Sequence, residues 1–102
     1  MVKNVNTNEF DEARNADVAV VDFYADWCGP CKMVGPVVEE ISNEITGVNF
    51  YKVNVDNNHD LATEFGIMSI PAIFVFKKGV KVAEQIGFAP KDALLAMINA
   101  AK

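Results

Sequence analysis

Apolar residues recur along the chain with two different periods, and the switches between them mark out its elements. Val2 to Val5 predicts a short strand. Thr7 can N-cap a helix running through about Asn15, with Glu9 and Asp11 suited to its positive end. Val18-Ala-Val-Val-Asp-Phe-Tyr24 is almost continuously apolar, the pattern of a strand buried on both faces. After Cys28-Gly-Pro-Cys31, helical spacing of Met33, Val34, Val37, Val38, Ile41 and Ile45 predicts a long helix ending near Ile45. Pro36 lies inside it, where the missing N–H should kink it. Asn49 to Val55 predicts a third strand, and Asp60 to Phe65 a short helix stopped by Gly66. Ala72 to Phe76 and Val80 to Ile86 are strands joined by the turn signal Lys77-Lys-Gly79. Pro90 opens a last helix to about Ala100, with Leu94, Leu95, Met97 and Ile98 on its buried side. Helical crossovers make the early strands parallel, and the late hairpin adds antiparallel pairing. The expected fold is α/β, a central mixed β-sheet flanked by helices on both faces.

Composition narrows the function more than the fold. With 102 residues and no repeat or linker-like stretch, the expectation is one domain over residues 1–102 and a monomer. A net charge of −5 without any basic run argues against nucleic acid and against an anionic membrane surface. No apolar run approaches the ~18 residues of a membrane span. The first residues, Met1-Val-Lys-Asn-Val-Asn6, lack the apolar stretch of a secretory signal, so a cytoplasmic protein is expected.

Two cysteines cannot build a disulfide framework or a four-thiolate metal site. Their spacing is the informative feature. Cys28 and Cys31 are three apart, which random placement would give in roughly one case in fifty. One helical turn sets two such side chains on the same face, close to disulfide geometry. At the strand-to-helix junction, unpaired N–H groups and the helix dipole favour a thiolate at Cys28, and only the thiolate is a nucleophile. Cys28 can then attack a disulfide, and Cys31 can attack the resulting mixed disulfide intramolecularly. Gly29 leaves room for a partner, and Pro30 fixes φ at no cost in helical hydrogen bonds. Two other readings compete: half of a metal site completed by His59 and carboxylates, or two inert core thiols.

Trp27-Cys-Gly-Pro-Cys-Lys32 resembles the active-site motif of the thioredoxin family. The likeness extends to Val21–Trp27, Met33–Pro36, Tyr51–Asp56, Phe65–Pro71 and Ile86-Gly87, and so covers essentially the whole chain. The resemblance implies a thioredoxin-like fold with Cys28 as attacking nucleophile and Cys31 as buried resolving thiol. Asp22 matches the family's buried acid beneath the dithiol, and Lys52 the lysine near that acid. Independently of the family, burial within Val-Val-Asp-Phe should raise the Asp22 pKa, which lets it accept the Cys31 proton through a water. The alternatives are a structural carboxylate at Asp22 and a surface lysine at Lys52. Pro71 matches a proline whose preceding peptide bond is cis. Such a turn would offer the backbone of Ile70 to an extended substrate segment. Trp27, Gly29, Pro30, Ile70, Pro71, Gly87 and Phe88 would form an exposed apolar patch around Cys28, the usual mark of a protein-binding face.

The chain departs from the common family pattern at four positions. Tyr24 stands where many members carry a second tryptophan, and Gly35 replaces a usual alanine. Met68 and Ala72 replace a frequent basic residue and a frequent threonine near the expected docking face. The function implied is a protein-disulfide reductase that is re-reduced by a thioredoxin reductase and donates two electrons to disulfide-containing client proteins. It needs no metal and no organic cofactor. An oxidase or isomerase on the same fold, and a binding module with incidental cysteines, are the competing functions.

Overall fold

Short-range signals set most of the elements seen in a computed structural model that describes all residues 1–102. Strands β1 (Val2–Asn4), β2 (Val18–Tyr24), β3 (Asn49–Asn54), β4 (Ala72–Lys77) and β5 (Val80–Ile86) form one sheet in the order β1-β3-β2-β4-β5. β3 pairs in parallel with β1 and β2, whereas β4 runs antiparallel to both β2 and β5. The sheet is therefore mixed, as the order of periodicities predicts. The β4–β5 turn uses left-handed backbone at Lys78 and Gly79, the positive φ that a tight hairpin requires.

Helices α1 (Asp11–Asn15), α2 (Gly29–Ser42), α3 (His59–Glu64) and α4 (Lys91–Ala101) cover both faces. On one face Phe10, Ala13 and Leu61 pack against Val21, Phe23, Val53, Phe74 and Phe76. On the other, Val34, Val38 and Ile41 of α2 and Leu94 and Ile98 of α4 pack against Val20, Phe50, Ile73 and Val75. β2 and β4 are buried on both faces, which explains their unbroken apolar runs.

Three local expectations change. Asn6, not Thr7, caps the first turn, which is a 3-10 helix (Thr7–Glu9), and the Glu9 carboxylate accepts from the Asn6 N–H at 3.0 Å. The Thr7 N–H and hydroxyl instead donate to the buried Asn58 side chain at 2.8 and 3.2 Å. Helix α2 ends at Ser42, where the Asn43 N–H caps the Glu40 and Ile41 carbonyls, and Ile45 packs from the turn beyond. Met33, placed by spacing on the buried stripe, is exposed because it flanks rather than faces the Val34–Val38–Ile41 line.

Candidate active site

Strand β2, buried on both faces at the middle of the sheet, ends at Tyr24, and a three-residue turn then leads to Cys28. Cys28 is the N-cap of α2, with extended backbone, and its sulfur accepts the Cys31 N–H at 3.2 Å. A free helix-terminal donor is thus aimed at the one atom that must carry negative charge as a thiolate. Pro30 occupies the first turn, where a missing N–H costs nothing. The two sulfurs are joined in a disulfide, with Cα atoms 5.3 Å apart. Cys28 and Cys31 are 4% and 5% exposed. They differ in their surroundings. Cys28 lies between exposed Trp27, Gly29 and Pro30, whereas Cys31 lines a cavity of about 600 Å³ shared with Asp22, Tyr24, Gly35, Glu39 and Lys52. Gly35 enlarges this cavity; a Cβ there would meet nothing within 4 Å, so steric need does not explain the glycine.

Asp22 is only 4% exposed, and its Oδ1 has no hydrogen-bond partner. Burial pushes its carboxyl from 3.8 up to about 7, against the opposing pull of the Lys52 charge. Lys52 is its cross-strand partner in the parallel β2–β3 register and is half-buried, not a free surface lysine. No group of three or more His, Cys, Asp or Glu side chains is placed to hold a metal ion. His59 stands at the start of α3, exposed, and does not complete a site with the cysteines.

The loop before β4 closes the outer side. The Ile70–Pro71 peptide is cis, as the resemblance implies, and the Ile70 carbonyl oxygen lies 3.8 Å from the Cys28 sulfur. The Gly87 N–H donates to the Pro71 carbonyl at 2.8 Å, and Gly87 has a left-handed φ of 84°. That bond ties the segment carrying Phe88 to the one carrying Ile70. Of the expected patch, Trp27, Gly29, Pro30 and Phe88 are exposed, and Ile70 and Gly87 are half-buried. Pro71 departs from the expected patch: it is buried rather than on the surface, because β4 starts at the next residue and enters the core. Ala72 is likewise fully buried, so it is not part of the docking face, whereas Met68 is 95% exposed.

Three contacts join residues that no local sequence pattern links. The Trp27 indole N–H donates to the Asp56 carboxylate at 2.8 Å, which holds an exposed ring in one orientation beside Cys28. The Asn4 side-chain amide donates to the Tyr24 hydroxyl at 3.3 Å, and the Lys52 ammonium sits over the Tyr24 ring, 5.8 Å from its centroid.

A sheet of this order, with a disulfide-bonded pair at the start of the helix after its central strand, matches known proteins over nearly the whole chain. The family model described as Thioredoxin matches residues 1–100. The chain belongs to the thioredoxin family. A thioredoxin of Rickettsia felis is 45% identical, with 97% of each chain covered. A thioredoxin of Staphylococcus saprophyticus is 43% identical, covering 96% of this chain and 95% of that one. The solved structure of Plasmodium falciparum thioredoxin superposes with a TM-score of 0.91 at 37% identity, covering 99% of this chain and all of that one. Membership and the paired cysteines establish a thiol–disulfide oxidoreductase. No helix is long and apolar enough to cross a membrane.

Proposed function

We propose that the chain is a cytoplasmic protein-disulfide reductase, working as a monomer with residues 1–102 as one domain, re-reduced by a thioredoxin reductase. In the dithiol form the Cys28 thiolate attacks one sulfur of a client disulfide. A Cys28–client disulfide forms, the client's other sulfur leaves as a thiolate, and that thiolate takes up a proton. Cys31 then gives its proton to the Asp22 carboxylate, through water in the shared cavity, and attacks the Cys28 sulfur. The Cys28–Cys31 disulfide forms as the second client sulfur leaves as a thiolate and takes up a proton from solvent, to which Asp22 returns its own, so the client gains two electrons and two protons. The dithiol is the only redox group this requires.

One observation carries the reading: the Cys31 N–H points at the Cys28 sulfur, while the Cys31 side chain shares a cavity with an acid poised near neutrality. A carboxyl of that affinity is a base matched to its task at neutral pH. Lys52 tunes it by charge. Trp27, Gly29, Pro30, Ile70, Gly87 and Phe88 offer the client an apolar surface, with the Ile70 backbone beside Cys28 and Pro71 buried next to it.

Mixing the reduced chain with an equimolar small protein held together by an interchain disulfide tests this. One client disulfide should be lost per chain oxidised, and added thioredoxin reductase with its electron donor should make the reaction catalytic. Reduction no faster than by a free dithiol at the same concentration would refute the reading.

A further inference from the structure

Lys52 and Asp22 face each other across the sheet yet do not pair. The parallel registers place Asn4 on β1, Lys52 on β3 and Asp22 on β2 in one row, running from the sheet edge to its buried middle; Ile73 of β4 continues the row as an apolar residue. Tyr24, two residues beyond Asp22 on β2, shares that face. No carboxylate oxygen lies within 4.0 Å of the Lys52 ammonium. The nearby Asp22 Oδ1 nevertheless has no partner. What the ammonium does contact is the Tyr24 ring, whose hydroxyl is tethered by Asn4.

We propose that Tyr24, anchored by Asn4, is a positioning residue whose ring face holds the Lys52 ammonium away from the Asp22 carboxyl. The competition is physically reasonable. An ion pair with Asp22 would draw the half-buried ammonium into the interior at a desolvation cost. The ring quadrupole attracts the same charge where it stays partly hydrated. Without the ring, that competitor is gone and the lysine can close on the carboxylate. An opposite charge brought within ~4–6 Å lowers a carboxyl pKa by about 1–3. The other charged or titratable groups around Asp22 are Cys31, Lys32 and Glu39 of α2 and Asp26 of the preceding loop. In the oxidised protein Cys31 does not titrate, and the remaining three are common to every variant, so their contributions cancel. Only the catalytic meaning of this inference rests on Asp22 as proton acceptor; the ionisation itself does not.

The test is the titration of the Asp22 side-chain carboxyl carbon by NMR in the oxidised protein. Tyr24→Leu should lower the midpoint by about one pH unit. Tyr24→Trp, which restores a ring, should stay at the parent value. In a Lys52→Met background, Tyr24→Leu should produce no further change, the signature of an effect transmitted through the lysine. An unchanged midpoint in Tyr24→Leu overturns the proposal, and so does the same drop without Lys52. The parent protein gives a check that needs no folded variant: ring-current shifts should move the Lys52 methylene protons upfield, and random-coil positions would overturn the placement. If Asp22→Asn leaves the release of mixed disulfide unchanged while these titrations hold, the proton-acceptor role falls and the positioning role stands.

Discussion

Cys31→Ser is expected to turn the chain from a turnover catalyst into a covalent trap. The first attack needs only the Cys28 thiolate, and the serine variant keeps the backbone N–H of residue 31 that points at that sulfur. The second step loses its nucleophile. In the parent that nucleophile sits in the first turn of the helix that Cys28 caps, with the Cα atoms 5.3 Å apart, so resolution is intramolecular and carries a very large effective concentration. Its loss should lengthen the life of the client adduct at least about a thousandfold. Mass spectrometry of the intact adduct and the rate of its decay give the readout. Cys28→Ser should form little adduct, because Cys28 is the cysteine flanked by exposed Trp27, Gly29 and Pro30 and by the Ile70 carbonyl, whereas Cys31 lines the cavity it shares with buried Asp22. Adduct on Cys28→Ser but not on Cys31→Ser would reverse the assigned roles.

Asp22→Asn should make the oxidised protein markedly more stable at pH 8 and scarcely change it at pH 4. The folded carboxyl ionises at about 7, against 3.8 for an unperturbed aspartate. Between those values the folded chain holds a proton that the unfolded chain has released, so unfolding frees a proton and stability falls as pH rises. The loss begins near pH 4 and is complete above about pH 7. A separation of about three pH units corresponds to about 4 kcal/mol. Asparagine mimics the protonated acid in shape and charge, so it escapes this loss. The difference between the two proteins should therefore grow from near zero at pH 4 to about 4 kcal/mol at pH 8, or at least about 15 °C in Tm. Every other group cancels in the comparison, including Glu12 and Glu64, whose carboxyls Lys3 and Arg14 hold below the usual range. The same substitution should slow resolution of the mixed disulfide more than its formation. A stability difference independent of pH would mean that Asp22 does not hold a proton in the folded state at neutral pH.

The stability and the chemistry pull Asp22 in opposite directions, and that tension was already legible in its neighbours. A lone acid inside Val20-Val21-Asp22-Phe23 cannot be solvated in a strand buried on both faces. The cysteine pair was legible for a similar reason: spacing, Pro30 and the preceding strand together set a helix start, and Cys28 is the cap. Five strands and the mixed pairing followed from period changes alone. What stayed hidden depends on contacts between distant residues. Tyr24 meets Asn4 across 20 positions and Trp27 meets Asp56 across 29, and no local pattern links either pair. The burial of Pro71 was not legible because the residues leading into it, Met68 and Ser69, are exposed and Ile70 is only half-buried. The turn into β4 reverses that exposure within two residues. Met33 was misplaced because helical spacing alone assigns a flanking residue to the stripe it borders.

The central claim is that Cys28 and Cys31 form a working dithiol poised to reduce protein disulfides. Redox titration of the pair against a dithiol buffer, followed by the fluorescence of Trp27 beside Cys28, tests it most directly. The prediction is a single two-electron transition clearly more reducing than glutathione, where each ~30 mV is a tenfold change in the equilibrium. A transition at or above the glutathione poise, or none at all, would contradict it.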